Sequence, residues 1–427
     1  MTVEDRPITK ETIDFSDLEF WGRPIEEREQ AFALLRNENP VPFYSEPDEF
    51  PDLFPAGPGY YVLTKHKHIL EASRQPEIFI SGRSATSIPD LPEEFNEFFG
   101  SMINMDDPKH ARLRRIVSRG FTPKMLKSLE DGVQTAAEKI VDDVIGRGEC
   151  DFVVDVAAKL PLKIICDMMG IPESDYQFIF ERSNIILSGA DPEYIPVDDP
   201  MAAMTVVLGA GQDLANMVAE LGAYRRKNPT DDLTTKLVTA DVDGEHLTDQ
   251  ELGSFFILLV VAGNETTRNA IAHGLHFLTQ NPDQKQLWLS DFERYAPTAV
   301  EEIVRYASPV AWMRRSVTRD YTLEGGHELK EGDKVLLYYW SADRDEEVFT
   351  DPLRFDITRD PNPHVGFGGP GPHFCLGAHL ARREITVMFR ELFRRMPDIH
   401  AAGEPDRLLS SFINGIKHLP ARWTPAG

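Results

Sequence analysis

The sequence predicts a mostly α-helical protein with a minor β part. Apolar residues recur at helical spacing over five long segments, 124–146, 209–226, 249–280, 297–307 and 378–396. Strand-like runs are short, as at 60–64 and 333–339, and the turn residues around them indicate small antiparallel sheets. No low-complexity linker and no internal repeat divides the chain. This weakens any division of the 427 residues into several domains.

The charge balance disfavours nucleic acid as a partner. The chain has 45 Lys and Arg against 70 Asp and Glu, a net charge of −25, which repels nucleic acid and anionic membrane surfaces on average. The segment 108–129 departs from this average, because it holds seven Lys and Arg and no acid. A local basic surface is therefore expected on an acidic protein.

The three cysteines, Cys150, Cys166 and Cys375, are too few for a disulfide framework and favour a reducing compartment. The first residues show no signal-peptide pattern. The longest apolar run, 255–262, is far shorter than the roughly 20 residues that span a bilayer. We expect a cytoplasmic protein with no membrane span.

One helix is predicted to be unusually long. Thr248 and Glu251 have the spacing of a capping box, and Asn281-Pro282 ends the apolar pattern that follows. About thirty helical residues extend roughly 45 Å, enough to cross a whole domain. We call this predicted helix, about 249–280, the central helix.

The central helix contains Ala262-Gly-Asn-Glu265-Thr266-Thr, which helix propensity alone does not favour. A carboxylate beside an alcohol, after an apolar run, can deliver protons within a dry pocket. The alternative is that Gly263 allows close helix packing and that Glu265 is solvated. Taken alone, the segment slightly favours that alternative.

A loop rich in Gly and Pro, 366–377, carries Cys375 just before a predicted helix. The helix dipole and the free N–H groups there lower the pKa of a thiol and stabilise a thiolate. The glycines would let the backbone approach a flat cofactor. Haem iron needs a single axial thiolate, whereas zinc could recruit His373, Cys375 and His379, although that spacing is not a common zinc pattern.

Two further pairs are ambiguous by themselves. Glu302 and Arg305 are three residues apart on a predicted helix, and His110 and Arg114 are four apart on another. Such pairs are most often solvated.

Taken together and in order, these motifs resemble the cytochrome P450 family of haem-thiolate monooxygenases over essentially the full length. The matching elements are His110-x3-Arg114, A-G-x-E-T-T at 262–267, Glu302-x-x-Arg305, Arg315, and C-L-G-x-x-L-A-R at 375–382. The resemblance implies the fold of that family, with one haem domain over 1–427 and a flexible N-terminal segment over 1–20.

The resemblance also implies roles for individual residues. Cys375 becomes the axial ligand of haem b, and Glu265 with Thr266 the acid–alcohol pair of oxygen activation. His110, Arg114, Arg315 and His373 match the positions that hold the haem propionates, and Ala262, Phe367 and Gly377 match further haem contacts. Glu302 and Arg305 match a buried ion pair whose third member is either Arg354 or Arg359.

One departure from the family pattern is the longer loop before Cys375, where Phe367 lies eight residues upstream and Gly368 takes the usual position of the Phe. A similar loop occurs in actinobacterial members that oxidise sterol side chains and methyl-branched lipids. The segments 255–269 and 297–305 also look most like that group.

The resemblance implies a monooxygenase that inserts one atom of O2 into a C–H bond of a lipophilic substrate. Terminal hydroxylation of a branched terpenoid, a methyl-branched fatty acid or a sterol side chain is expected. The candidates for the substrate pocket are nearly all apolar: Phe98, Phe99, Met102, Leu258, Leu259, Ala262, Val310, Ala311, Trp312, Phe412 and Ile413.

Three alternatives remain at this point. The nearest is a hydroxylase of the same family that acts on macrolides or other secondary metabolites. A zinc-dependent hydrolase and a non-catalytic haem sensor are more remote.

The chain is too short to add a reductase to a full haem domain, so electrons must come from separate proteins. A ferredoxin and a ferredoxin reductase that uses NAD(P)H are expected. The basic segment 108–129, with Arg382 and Arg383, is the expected docking surface for an acidic ferredoxin. A monomer is expected.

Overall fold

The computed structural model describes residues 8–9, 12–15, 17–46, 56–120, 123–188, 191–197, 199–240 and 247–425. The helices before the central one are α1 (Leu18–Trp21), α2 (Ile25–Glu38), α3 (His66–Ser73), α4 (Glu93–Gly100), α5 (Lys109–Gly120), α6 (Pro123–Val144), α7 (Lys159–Met169), α8 (Tyr176–Leu187), α9 (Pro200–Lys227) and α10 (Leu233–Thr239). The central helix and those after it are α11 (Asp249–Gln280), α12 (Pro282–Ser290), α13 (Phe292–Ala307), α14 (Tyr339–Ala342) and α15 (Ala378–Arg395). Short 3-10 turns lie at Ser101–Asn104 and Glu173–Asp175, and a π-helical turn lies at Val153–Ala157.

The strands are short. They are β1 (Phe43–Tyr44), β2 (Tyr60–Leu63), β3 (Phe79–Ile80), β4 (Glu149–Asp151), β5 (Met313–Val317), β6 (Tyr321–Leu323), β7 (His327–Leu329), β8 (Lys334–Leu337), β9 (His400–Ala401), β10 (Asp406–Arg407), β11 (Ile416–His418) and β12 (Pro420–Arg422). A five-stranded sheet has the order β1-β2-β8-β5-β3, a three-stranded sheet has the order β4-β12-β9, and β6-β7 and β10-β11 form two-stranded sheets.

The prediction of small sheets is confirmed, but the prediction that all are antiparallel is wrong for one pair. Strands β2 and β8 run parallel, with Tyr60 opposite Lys334 and Leu63 opposite Leu337. A parallel pair needs a crossover connection. Here most of the helical chain lies between the two strands, a separation that no local sequence pattern reveals.

The central helix α11 occupies the predicted residues. Its start is fixed by the capping box, in which the Glu251 N–H donates to Thr248 Oγ1 (3.1 Å) and the Thr248 N–H donates to Glu251 Oε2 (2.8 Å). The helix packs against α4, α7, α8, α9, α13 and α15. Its second half, from 264 to 278, is buried almost continuously.

Two helices begin earlier than the apolar pattern predicts. Helix α9 begins at Pro200, where the Asp199 side chain accepts a hydrogen bond from the Ala202 N–H (2.8 Å) and Pro200 occupies the first turn. Helix α13 begins at Phe292 behind an Asp291 cap and includes Pro297. The capping residues, rather than the apolar pattern, mark both starts.

The buried side chains form one large core around α6, α7, α11, α13 and α15, and two smaller cores on the faces of the five-stranded sheet. One of the smaller cores is aromatic. In it Phe15 stacks on Phe32 with ring centroids 4.7 Å apart, and Phe20 meets Phe15 edge to face. Phe15 and Phe20 belong to the segment 1–20 that is predicted to be flexible, of which residues 1–7, 10, 11 and 16 lie outside the described part.

In the part of the chain that the structure describes, no helix combines the length and the apolar character that crossing a membrane requires.

Candidate active site

The loop before α15 is held in a shape that only glycine permits at two positions. Gly368 has φ +87° and Gly371 has φ +155°. A Cβ on Gly371 would lie 2.4 Å from the carbonyl oxygen of Ser73, so this loop packs directly on the end of α3. Inside the loop, the Cys375 N–H donates to the carbonyl of Phe367 (3.0 Å). The longer loop thus still brings Phe367 to the cysteine through its backbone.

The Cys375 thiol is reachable by solvent but surrounded by protein. That burial raises its pKa, while the N–H groups of Gly377 and Ala378 and the charges of Arg114 and Arg382 lower it. The net direction is upward, because the burial outweighs the lowering by the N–H groups at the helix start. The lowering groups are present as predicted. The burial that raises the pKa depends on the tertiary fold, so the local sequence does not predict it.

For the other two cysteines, burial is the largest influence on the pKa of the thiol. Burial raises the pKa of Cys150 to about 12, and burial also raises the pKa of Cys166. Both are expected to be inert thiols, as their sequence surroundings predict.

Basic residues from three separate segments, His110 with Arg114, Arg315, and His373 of the loop itself, gather at this loop. The rings of His110 and His373 lie 4.3 Å apart, and Arg114 Nη2 donates to the carbonyl of Phe374 (2.8 Å). His373 Nε2 lies 3.2 Å from Ser81 Oγ. Burial, with Arg315, His110 and Arg114 nearby, lowers the pKa of His373 to about 2. The cluster is a buried basic site that favours an anionic group.

The residues fit haem on two observations. His110 is only 2% exposed, yet its Nε2 has no hydrogen-bond partner, which leaves this polar atom available to a bound group. At Gly377, no atom lies within 4 Å of the position that a Cβ would occupy, which leaves the backbone open to a planar group. Cys375 would supply the axial thiolate, and His110, Arg114, Arg315 and His373 would hold the propionates.

The zinc alternative lacks geometric support. Among the described residues, the metal-ligand atoms of His373, Cys375 and His379 do not come within 4.8 Å of one another. The set that meets this criterion, Glu193, Asp406 and His418, lies elsewhere and includes no cysteine.

The acid–alcohol pair of the central helix is adjacent but engaged with different partners. Thr266 Oγ1 donates to the carbonyl of Ala262 (2.6 Å). Glu265 is 1% exposed and forms an ion pair with Arg268, whose Nη1 in turn donates to Asn184 Oδ1 on α8 (2.9 Å). The alternative of a solvated Glu265 is therefore wrong. Close packing at Gly263 is real, since a Cβ there would lie 2.9 Å from Ile165 Cδ1.

Burial raises the pKa of Glu265, and Arg268 acts in the opposite direction. Only one carboxylate oxygen is engaged, because Glu265 Oε1 is buried without a partner. Sequence reasoning missed Arg268. The signal was present, since Glu265 and Arg268 have the same i, i+3 spacing as Glu302 and Arg305.

The Glu302–Arg305 pair is fully buried, with both side chains at 0% exposure. Arg305 Nε and Nη2 each donate to one Glu302 oxygen at 2.7 Å, and the Asp356 N–H and Asn362 Nδ2 donate to the same carboxylate. Arg359 Nε completes the cluster at 3.2 Å, while Arg354 contributes only its backbone carbonyl. The third member is thus Arg359.

A second contact links α13 to the cysteine loop. Arg382 Nη2 donates to Glu301 Oε2 (2.8 Å), and its guanidinium lies 4.3 Å from the centre of the Phe367 ring. Burial opposes ionisation of Glu301, but the hydrogen bonds from Arg382 and His364 lower its pKa to about 2. This ion pair fixes Arg382 beside the loop.

The predicted pocket residues fall into two groups. Half-buried are Phe98, Phe99, Leu258, Leu259, Ala262, Val310 and Phe412. Almost fully enclosed, at 5% exposure or less, are Met102, Ala311, Trp312 and Ile413. Val310 pairs with Ile413, and the Ala311 N–H donates to the carbonyl of Phe412 (2.8 Å), so the two late segments form one wall. Their place in a substrate pocket stays a prediction.

The helical fold, the cysteine loop and the basic cluster together define a haem-thiolate protein. Comparison with known proteins agrees. The sequence pattern of the family described as Cytochrome P450 matches residues 294–397. The methyl-branched lipid omega-hydroxylase of Mycobacterium tuberculosis is 52% identical over 415 residues, which cover 96% of this chain and 95% of the relative. The steroid C26-monooxygenase of Mycolicibacterium smegmatis is 41% identical over 95% of this chain and 91% of the relative.

A solved structure of a Mycobacterium marinum cytochrome P450 in complex with pseudoionone is 40% identical and covers 98% of this chain and 99% of its own, with a TM-score of 0.91. The chain therefore belongs to the cytochrome P450 family. It is a monooxygenase that uses haem with a cysteine thiolate ligand and O2, binds a lipophilic substrate and needs redox partners.

Proposed function

We propose that this chain hydroxylates the terminal carbon of a branched aliphatic chain, on a methyl-branched fatty acid, a terpenoid or a sterol side chain. The observation that carries the proposal is the 52% identity, over nearly the whole chain, to a methyl-branched lipid omega-hydroxylase. The 41% identity to a steroid C26-monooxygenase supports the same kind of substrate. The candidate pocket residues are apolar, which suits a hydrocarbon chain.

Haem, when bound, supplies the activation of O2 and the insertion of one oxygen atom into the C–H bond. We propose that the protein contributes the axial thiolate of Cys375 and a proton path along α11. Glu265 Oε1 is buried and has no hydrogen-bond partner, so this oxygen can accept and pass on a proton, while burial raises the pKa of the carboxyl and Arg268 lowers it. Thr266 Oγ1 donates its own proton to the Ala262 carbonyl, so that its lone pairs are available to accept and pass on another.

The test of the proposed function is a spectral titration of the haem-loaded protein. We expect a methyl-branched fatty acid, a branched terpenoid or a sterol with an intact side chain to shift the spin state of the bound haem. A linear fatty acid of equal carbon number should bind at least about 10-fold more weakly, because several methyl contacts are lost. Mass spectrometry of the turnover product should place the hydroxyl on a terminal carbon.

Two controls make this test decisive. Imidazole binding shows that the haem is accessible, and Thr266→Ala should bind the same lipids while it releases more hydrogen peroxide per product. If none of the three lipid classes shifts the spectrum while a macrolide does, the proposed substrate class is wrong and the secondary-metabolite alternative is favoured.

We also propose that an acidic ferredoxin, reduced by a reductase that uses NAD(P)H, docks beside the cysteine loop. A surface hollow of about 380 Å³ lies between α5 and this loop, lined by Asp107, His110, Ala111, Arg114, Arg115, Ser118, Gly371 and Pro372. Within the predicted docking surface, Arg115 is exposed, but Lys109 pairs with Glu93 and Glu97, and Arg112 pairs with Glu251. Residues 121 and 122 lie outside the described part.

For this docking surface we expect Arg115→Glu to slow reduction by ferredoxin about 10-fold at low salt and to reduce its salt dependence, since charges at the rim of an interface act mainly on association. Stopped-flow reduction over a salt series measures both effects. Arg319→Glu, an exposed arginine on the turn between β5 and β6, is the matched control and should change neither. Reduction that is insensitive to salt in the unmodified protein would contradict docking at a basic surface.

The free state of all three cysteines supports a reducing compartment, and we propose a monomer in the cytoplasm.

A further inference from the structure

Two arginines outside the haem site have buried guanidinium nitrogens without a hydrogen-bond partner. Arg28 on α2 is 7% exposed, and its Nε and Nη2 have no hydrogen-bond partner. Arg407 on β10, far away in sequence, has a buried Nη1 that is also unpartnered. Buried ionised groups are normally paired, because an uncompensated charge in a low dielectric is costly. The two guanidinium groups therefore lack a counter-charge.

The surrounding charges do not supply one. Burial, followed by repulsion from Arg407 and Arg344, lowers the pKa of Arg28 to about 10, so that it stays protonated at neutral pH. Arg344 already has a partner, since its Nε donates to Glu29 (3.2 Å). The other acids that act on Arg407, Glu404 and Glu26, do so only at a distance, without an ion pair or a hydrogen bond to it.

A small cavity lies between the two arginines. Its volume is about 10 Å³, and Arg28, Arg407, Ser410, Trp21, Ala311 and Ile413 are among its lining residues, none of which is acidic. Ser410 Oγ accepts hydrogen bonds from the N–H groups of Phe412 (3.2 Å) and Ile413 (3.1 Å), which leaves its own O–H to donate. The cavity thus presents several donors and holds about one water-sized group.

We infer that this cavity binds one small monoanion of the size of chloride, held by Arg28, Arg407 and the Ser410 hydroxyl. A water molecule would satisfy the donors but would leave both positive charges uncompensated. Val310 pairs with Ile413 and the Ala311 N–H donates to the Phe412 carbonyl, so the two segments that line the cavity are held together. The inference does not depend on the proposed substrate.

The anion would connect α2 to the C-terminal strands. Because the anion binds the folded chain and has no site in the unfolded chain, an increase in the anion concentration should raise the thermal stability by mass action. Without it, repulsion between Arg28 and Arg407 destabilises the folded state.

The test is thermal unfolding of the haem-loaded protein in sodium chloride and in sodium gluconate at equal ionic strength, since gluconate is too large for the cavity. We expect the unfolding midpoint to be about 2 °C or more higher in chloride. Arg407→Gln should remove this difference. In gluconate the Arg407→Gln variant should unfold at or above the temperature of the unmodified protein, because the repulsion between Arg28 and Arg407 is gone.

Arg319→Gln is the matched control and should keep the chloride effect. If Arg407→Gln does not fold, Arg28→Gln replaces it. The comparison of chloride with gluconate on the unmodified protein tests the inference without any variant. Equal midpoints in chloride and gluconate overturn the inference, as does an unchanged chloride effect in Arg407→Gln. Crystals soaked in sodium bromide give a direct readout: an anomalous peak between Arg28 and Arg407 is expected, and its absence at full bromide exchange contradicts the site.

Discussion

Cys375→Ser is expected to abolish hydroxylation and the long-wavelength band of the reduced haem with carbon monoxide. The expected loss of activity exceeds about 100-fold, because even partners that only support a metal ligand contribute 10- to 100-fold. The physical reason is the loss of the thiolate, which pushes electron density onto iron and favours O–O cleavage. Difference spectroscopy and product formation with a methyl-branched lipid measure the two effects.

The chain provides matched controls for this substitution. Cys150→Ser and Cys166→Ser make the same chemical change at thiols whose pKa burial raises and which lie outside the glycine-rich loop. Both should keep the thiolate band. A protein with serine at 375 that retains the band, or a control that loses it, would refute Cys375 as the ligand.

The candidate site was predictable where one short segment carries the chemistry. The glycine-rich loop predicts a special cysteine, whereas the A-G-x-E-T-T segment taken alone slightly favours helix packing and is assigned a functional role only through the family resemblance. The pKa of Cys375 was not predictable in the same way. The N–H groups that lower it follow from the helix start, but the burial that raises it depends on segments distant in sequence.

Partners that are distant in sequence were the main omission. Arg354 and Arg359 are five residues apart in an irregular segment, so spacing cannot decide which one reaches Glu302, whereas the structure places Arg359 there. Arg28 and Arg407 are nearly a chain length apart and share no motif. The parallel pairing of β2 and β8 has the same cause, because local patterns predict strands but not their partners.

Glu302→Gln is expected to destabilise the protein by about 3 to 5 kcal/mol, the usual cost of breaking a buried ion pair from one side. Arg305 would keep its bonds to the carbonyls of Asp343 (2.7 Å) and Pro352 (2.9 Å) but would lose its ion pair. Arg359 would lose its carboxylate as well. Chemical denaturation of the haem-loaded protein measures the change in free energy of unfolding.

Variants of neighbouring residues serve as controls, because they distinguish the loss of this buried ion pair from a general effect of removing a charge. Glu301→Gln removes a partly exposed carboxylate one residue away. The loss of its pairs with Arg382 and His364 should lower the free energy of unfolding by about 1 kcal/mol. Arg359→Ala should destabilise by about 2 kcal/mol, since it removes one charged partner of Glu302. Arg354→Ala should have almost no effect, because Arg354 serves the cluster only through its backbone carbonyl, which alanine retains. Equal losses for Arg354→Ala and Arg359→Ala would contradict this assignment, since only Arg359 brings a side-chain charge to the buried carboxylate.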